Sequence, residues 1–475
     1  MLVGYTIVLC FISLMRFQTF RTYLDLGIFD QSFSSTMRGQ LFLETPDLSI
    51  IHSGSFLGTH FAPLVFLLLP FYAIYPGPSA LLVLQTPFIA LGALPVFLVS
   101  KVLLHRNTTS LSLAGLYLLN PAVQSLNLFD FHLEAFLPFF LGMSCYFLLK
   151  KNWKAYAVFI AMSLITIEFA SIIIVAMSVG VILSDWKGFR RLISAPKDFA
   201  RGDNLTVSMA VLTALLAVIY FYFALQMSLL LSGTTATPST VIRGFLPSFQ
   251  LWLSAGVQYK LLFWLVLFGS LAFLPLRAIS RTLMVVPWLT VTLVSVNPPY
   301  YFIGYQYGGA FVAPYLFLAS AHALARVNEI LNSKKLHYLF LGMAVFTILI
   351  TPLSPWAQHN VPGIVYEDGL PFPNSHDATV YRIMKLVPSG ASILTQNELF
   401  TQFSSRPDAY LYLPSNSTQV DFILADTTSR FYTFGVFGHD PLSQIVPQVI
   451  RDNSFFVLAN ETGVVLLESL NRTPR

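Results

Sequence analysis

The sequence predicts a mainly α-helical bundle that crosses a membrane many times and carries a small α/β domain at its C-terminal end. Three observations predict it. Hydrophobic residues make up 55% of the 475 and charged residues only 10%, against roughly 25% charged in a soluble globular domain. So few charges cannot coat so large a core, and the remaining apolar surface must face lipid. The apolar residues also fall in runs of membrane-spanning length, and from Trp356 onward that pattern gives way to short alternating segments.

A spanning helix needs roughly 20 apolar residues, within a range of about 17–25. The first run, Leu2 to Met15, has no basic residue before it and no small-x-small site after it, so it reads as an uncleaved first helix. Residues 17–78 then form a large loop. Within it, His60 to Tyr75 is apolar but short and holds Pro63 and Pro70, which suits a re-entrant or interfacial helix. Further spans are expected at 79–100, 108–126, 134–149, 155–183, 206–231, 261–276, 282–296, 309–325 and 337–354. The run 155–183 is too long for one helix and carries Glu168 near its middle. Split into two short helices meeting there, it brings the total to about eleven spans.

Charge supports that split. The basic clusters Lys101–Arg106, Lys150–Lys154, Trp186–Arg201, Arg277–Arg281 and Arg326–Lys335 then fall on one side, which the positive-inside rule assigns to the cytoplasm. Loops 17–78, 127–133, 232–260 and 297–308 and the tail fall on the other. Arg16 and Arg21 are a local exception. The chain thus divides into a transmembrane domain, 1–355, and an extracytoplasmic domain, 356–475.

In that tail, Ala391–Thr395, Ala409–Leu413, Val420–Leu424 and Phe455–Ala459 read as strands, and Thr379–Leu386 and Gln444–Ile450 as amphipathic helices. Sequons stand at Asn416, Asn460 and Asn471. Cys10 and Cys145 both lie in apolar runs and form no disulfide or metal signature. The net charge of +5 resides in the loops rather than in a basic stripe, so nucleic acid is not an expected partner.

The chemistry-bearing residues gather in the non-basic loops. Asp25 and Asp30 lie on one expected helix, about 140° apart around its axis, so they cannot face one substrate together. One reads as functional and the other as structural; the plain alternative for Asp25 is a helix N-cap. In Asn127–Glu134, an extended backbone would put Asp130, His132 and Glu134 on one side. That side offers oxygen and imidazole ligands to a divalent metal, a counter-charge to a phosphate, or hydrogen bonds to a sugar. Glu168 interrupts an apolar run, where an ionisable side chain is costly and points to function. His52 and His60 share the first loop. Tyr300, Tyr301, Tyr305 and Tyr307 cluster in 297–308, where an aromatic belt is the plainer reading. Arg243 and Lys260 are cations available to a phosphate.

Three segments carry a resemblance: Tyr23-Leu24-Asp25-Leu26-Gly27-Ile28-Phe29-Asp30-Gln31, Gly58-Thr59-His60-Phe61-Ala62-Pro63, and Leu119-Asn120-Pro121 with Asn127 to Glu134. Together with Ile393-Leu394-Thr395-Gln396-Asn397, Ser405-Arg406 and Tyr410-Leu411-Tyr412, they resemble the prokaryotic polytopic membrane family called domain of unknown function 2079. Its architecture is similar to that of the C-type glycosyltransferases, which take a sugar from a polyprenyl-phosphate carrier at the outer leaflet. The resemblance implies a membrane lipid and a polyprenyl-phosphate sugar donor as partners, with an acceptor it does not name. By that similarity Asp25 takes the place of the acid that activates the acceptor, and Asp130 to Glu134 lie where a second outer acid is found. With the reading of the residues above, Asp25 and Glu168 are the expected catalytic acids, and Asp30, His60, Asp130, His132, Glu134 and Tyr305 the expected substrate-binding residues. No cofactor is implied beyond the divalent metal already considered. One departure stands out: the family favours Lys directly before the acid at the Glu168 position, and this chain has Ile167.

A transporter or flippase of a lipid-linked or small polar substrate is the competing reading, and a scaffold presenting the outer domain is a third. Transporters tend to show internal repeats and charges at the membrane midplane. No clear repeat relates the two halves here, and the acids gather towards one face.

Overall fold

The computed structural model describes the chain apart from residues 50, 52, 195–203, 234–254, 328–332, 365–370, 414–418, 437 and 472–475. Among the described residues, four helices are long and apolar enough to cross a membrane: Pro78–Leu104, Leu205–Ser232, Leu274–Val294 and Gln306–Val327. The pair Ala170–Ser184 and Trp186–Ser194, bent by 90°, adds a fifth if it is one span. Several other apolar runs are helical for a shorter distance: Leu2–Gln18, Leu64–Ile74, Leu133–Leu149, Trp153–Leu164 and Val257–Gly269. Helix length therefore finds fewer crossings than hydropathy does. Pro, Gly and short non-helical links break the apolar runs.

The break expected within 155–183 is present. One helix covers Trp153–Leu164 and the next Ala170–Ser184, and Glu168 sits in the link between them. The apolar stretch after His60 is an 11-residue helix, Leu64–Ile74, with Pro70 inside it. A helix that short covers only about 16 Å.

The helices differ in what they bury. Gln306–Val327 runs through the middle, with 83% of its most apolar window buried, whereas Leu205–Ser232 is only 33% buried. The latter exposes Leu212, Leu215, Leu216, Ile219, Tyr222 and Phe223, spaced three or four apart. That spacing is one helical face, and so long an apolar stripe is stable against lipid rather than water.

The C-terminal residues build a five-stranded sheet of order β2-β1-β3-β5-β4. The strands are β1 (Ile393–Thr395), β2 (Ala409–Tyr410), β3 (Phe422–Asp426), β4 (Phe455–Glu461) and β5 (Val464–Ser469). β1 pairs in parallel with β2 and β3, while β5 pairs antiparallel with β3 and β4. Side chains alternate across it as strand geometry requires. Ile393, Phe422, Leu424 and Leu466 meet Val380 and Ile383 of the helix Ser375–Met384 on one face. Leu394, Ile423, Ala425 and Leu467 meet Leu442 and Val446 of the helix Leu442–Arg451 on the other. The last strand, β5, was not expected from the sequence. It is joined to β4 by a two-residue turn with Thr462 and Gly463 both at positive φ.

This sheet unit does not stand apart. Its first core includes Phe20 of the large loop, and β1 leads into Asn397, whose side chain accepts a hydrogen bond from Leu24 N–H at 2.9 Å.

Candidate functional site

The site begins at the N-terminus of the helix Leu24–Met37. A helix starts with backbone N–H groups that lack intrahelical partners. Here they are held from outside the helix. Asp130 accepts from Tyr23 N–H and Leu26 N–H at 3.0 and 3.2 Å, and Asn397 takes Leu24 N–H. Asp25, in the first turn, is thus released from capping. Its side chain is 37% exposed and lies 3.3 Å from His132 Nε2. An acid in a first helical turn is also favoured by the helix dipole.

His132 is fixed on three sides. Its backbone N–H donates to Gln85 Oε1 at 3.1 Å, while Gln85 Nε2 donates to the Asp130 carbonyl at 2.6 Å. Its ring stacks on Phe129, centroids 5.4 Å apart, and Phe129 packs in turn against Tyr23 and Tyr305. The Nδ1 atom is buried without a hydrogen-bond partner. His132 thus presents Nε2 to the Asp25 carboxylate from a ring that its neighbours hold in place.

A second pair lies alongside. His60 Nδ1 is 2.7 Å from Glu168 Oε1. Burial lowers the proton affinity of the His60 imidazole, but Glu168, Glu134 and Asp47 together outweigh it and push its pKa up to about 9. At neutral pH His60 is a cation, with its ring still one-third exposed and Nε2 not used by Glu168. Glu134 is buried, within electrostatic reach of His60 and of the Tyr300 and Tyr307 hydroxyls; Asp25 reaches Tyr307 as well. Asp25, His132, Glu134, His60 and Glu168 therefore gather at one end of the bundle.

Two expected substrate-binding acids are placed otherwise. Asp30 is fully buried: Tyr72 donates to Oδ1 at 2.7 Å, and Ser404 and Ser405 donate to Oδ2 at 2.7 and 2.8 Å. Asp130 is equally enclosed, with its carboxylate given to the helix N-terminus. Burial, then Asp25, pushes its pKa well up, and the Tyr23 and Leu26 N–H groups oppose that. Asp130 holds backbone and Asp30 holds three hydroxyls, and both carboxylates are enclosed by these partners rather than open to a substrate. Nor do Asp130, His132 and Glu134 share a side, because Glu134 lies in a 3₁₀ turn, Leu133–Phe136, and Asp130 faces the helix. Among the described residues, no three His, Cys, Asp or Glu side chains converge closely enough to hold a metal ion, so the metal considered from that spacing has no ligand set there. Tyr305 packs on Phe129 within the aromatic cluster. Lys260 is buried and donates to the Leu293 carbonyl at 2.8 Å. His52, Arg243 and Asn416 lie outside the described residues.

Sequence reasoning gave no role to three residues. Gln85 clamps the Asp130–His132 turn, and its signal was a polar residue inside an apolar span. Asn397 completes the helix N-terminus. Arg430 donates to the Tyr23 hydroxyl at 2.9 Å at the edge of the site; in sequence, nothing sets it apart from other surface arginines.

A search of curated proteins finds no match for this chain. Among solved structures, ArnT from Cupriavidus metallidurans, determined with undecaprenyl phosphate bound, superposes with a TM-score of 0.54 at 12% identity. The match covers 100% of this chain and 98% of ArnT, so the two share a fold along their whole lengths. The family model described as predicted membrane protein, DUF2079, matches residues 16–465, and the chain belongs to that family.

Proposed function

We propose that the protein transfers a sugar from a polyprenyl-phosphate carrier to an acceptor hydroxyl, at the membrane face opposite its basic loops. The observation that carries this reading is Asp25: a partly exposed carboxylate, relieved of capping by Asp130 and held by His132, at the same end of the bundle as a cationic His60. The whole-length likeness to ArnT supports the choice of carrier, since that protein was solved with undecaprenyl phosphate.

The chemistry needs few groups. Asp25 accepts the proton of the acceptor hydroxyl as general base. The acceptor oxygen bonds to the sugar's anomeric carbon as the bond from that carbon to the phosphate oxygen breaks. The electron pair stays on the carrier, which leaves as polyprenyl phosphate. A phosphate is already a good leaving group, so no general acid is required. The charge developing on it is met by His60 Nε2–H, a preorganised donor of the kind that stabilises oxyanions. Glu168 acts through His60 and is a positioning residue. This arrangement supplies a cation although Ile167 replaces the lysine favoured in the family, because the charge comes from the first loop instead.

In the same reading the chain makes about eleven crossings, several by short helices. Residues 356–475 then lie outside the cytoplasm, where Asn397 and Arg430 border the site and help to select the acceptor. A transporter is less well supported, because the acids gather at one end rather than along a path across the bundle.

The test is transfer in proteoliposomes supplied with a mixture of polyprenyl-phosphate sugars, comparing wild type with Asp25→Asn. Transfer that the variant loses supports the enzyme and its base. Equal transfer by both removes Asp25 from that role. No transfer by folded wild type from any donor overturns the reading and favours transport.

A further inference from the structure

The other end of the bundle holds a cavity of about 180 Å³ that the proposed reaction does not use. The helix Leu133–Leu149 connects the two ends. It starts beside Glu134 and ends where Leu148, Leu149 and Lys151 line the cavity, roughly 20 Å further along its axis.

Among the described residues, three nitrogen-bearing side chains line this cavity, Lys151, Arg281 and His322, and no carboxylate does. Arg326 adds a second guanidinium within electrostatic reach of Arg281 and His322. Arg326 is hydrogen-bonded to the Arg277 carbonyl at 2.8 Å, whereas Arg281 has no hydrogen bond or ion pair among the described residues. A half-buried guanidinium turned to an apolar cavity at the end of a span loses part of its hydration, which an anion in the cavity would restore. The backbone around it is irregular as well. Ala272 and Phe273 have φ of 48° and 57°, and 3₁₀ turns flank the short helix Ile279–Thr282 that carries Arg281. At membrane depth such backbone is tolerated where it lines a cavity.

The remaining walls define the occupant. Ser184 gives its one hydroxyl proton to the Gly180 carbonyl at 2.7 Å, so Ser280 Oγ donates to Ser184 at 2.9 Å and adds no donor to the cavity. Most other lining residues are apolar, among them Val99, Met177 and Leu318. The volume is below the roughly 300–1,000 Å³ of sites that enclose whole drug-sized ligands. It has room for a phosphate group whose hydrocarbon chains remain outside, and none for a nucleotide. Basic pockets between spanning helices are suited to anionic lipid headgroups.

We propose that this cavity binds the phosphate headgroup of an anionic membrane lipid, gripped by Arg281 and His322 with Lys151 at its mouth. The site is separate from the Asp25 end and stands whether or not sugar transfer is the activity.

Cys145 lines the cavity and reports on it. With Cys10→Ser as background, the full chain is placed in phosphatidylcholine nanodiscs and the rate of Cys145 alkylation by a small maleimide is measured. Phosphatidic acid in the disc is expected to slow alkylation about tenfold in the parent. The protection is expected to vanish in Arg281→Gln and to remain largely in Arg281→Lys. Should Arg281→Gln fail to fold, His322→Gln and Lys151→Gln carry the test, each weakening protection severalfold. Absence of protection in the folded parent, or protection that survives Arg281→Gln, overturns the proposal. Equal protection by inorganic phosphate in discs without phosphatidic acid overturns the lipid as its source.

Discussion

The helix Leu24–Met37 meets its two neighbours with opposite chemistry. Towards the bundle it turns Leu26, Phe29 and Phe33, which pack against Phe56, Phe131, Phe42 and Tyr72. Towards the C-terminal sheet unit it turns Gly27, Asp30, Gln31, Ser34 and Arg38, spaced three or four apart. Asp30 receives Ser404 and Ser405, Gln31 donates to the Arg406 carbonyl at 3.1 Å, and Ser34 and Arg38 both donate to the Ser405 carbonyl at 2.9 Å. Ring packing is non-directional and tolerates small shifts. Hydrogen bonds from a helix to carbonyls at fixed positions do not. The apolar side holds the helix in the molecule, and the polar side fixes the orientation of the sheet unit over its N-terminus, where Asp25 emerges.

The largest test of that contrast sets Asp25 against Asp30, two acids on one helix. Asp25→Asn is expected to cut transfer 10²–10⁴-fold, the usual contribution of a general base, with little change in melting temperature. Asp30→Asn should leave the chemistry intact and appear in stability instead. A large loss of transfer from Asp30→Asn in protein of wild-type stability would dissolve the distinction.

Next is the strength of the polar side. Asp30→Ala leaves the buried Tyr72 and Ser404 hydroxyls without this acceptor, at about 1–3 kcal/mol for each group left unsatisfied, while the exposed Ser405 turns to water. Chemical unfolding and limited proteolysis should show the sheet unit loosening before the bundle does. Gly27→Ala tests closeness of approach rather than bonding. A Cβ there would stand 2.5 Å from Phe400 Cδ1, and Phe400 is fully buried. Overpacking of this kind costs about 1–3 kcal/mol, and the same proteolysis measures it. Unchanged cleavage would mean the interface is softer than its geometry implies.

Much of this arrangement was legible in sequence, for reasons specific to each element. The split at Glu168 followed from length and charge, since an apolar run too long for one helix had an acid at its centre. The strands of the sheet unit followed from alternation, except β5, which pairs at the far side of a two-residue turn. The angle between Asp25 and Asp30 predicted that they would part, but not which would be enclosed. That depended on Tyr72, Ser404 and Ser405, the last two lying 374 and 375 residues away. Asp130 was misread for the same reason: its partners are backbone N–H groups more than 100 residues distant, which leave no trace in local spacing. The motifs Leu24-Asp25 and Gln396-Asn397 each looked like separate signals. They form one structure, because Asn397 helps to hold the helix end that presents Asp25.

The smallest effect concerns the pair that supplies the cation. The His60 pKa lies at about 9, above its ordinary 6.5. Since the folded protein holds this proton more tightly than the unfolded chain, the pair's contribution to stability is complete below about pH 6.5 and is lost as pH rises through 9. His60 is partly exposed, so screening limits that contribution to about 1 kcal/mol. Wild type is therefore expected to lose a few degrees of melting temperature between pH 7 and 10, and His60→Gln to lose less over the same range. Transfer should fall with the same apparent pKa, because a neutral imidazole no longer offers a charge to the leaving phosphate. A transfer profile flat through pH 9 in wild type, with the melting temperature still falling, would leave His60 as a structural partner of Glu168 and return the leaving phosphate to some other donor.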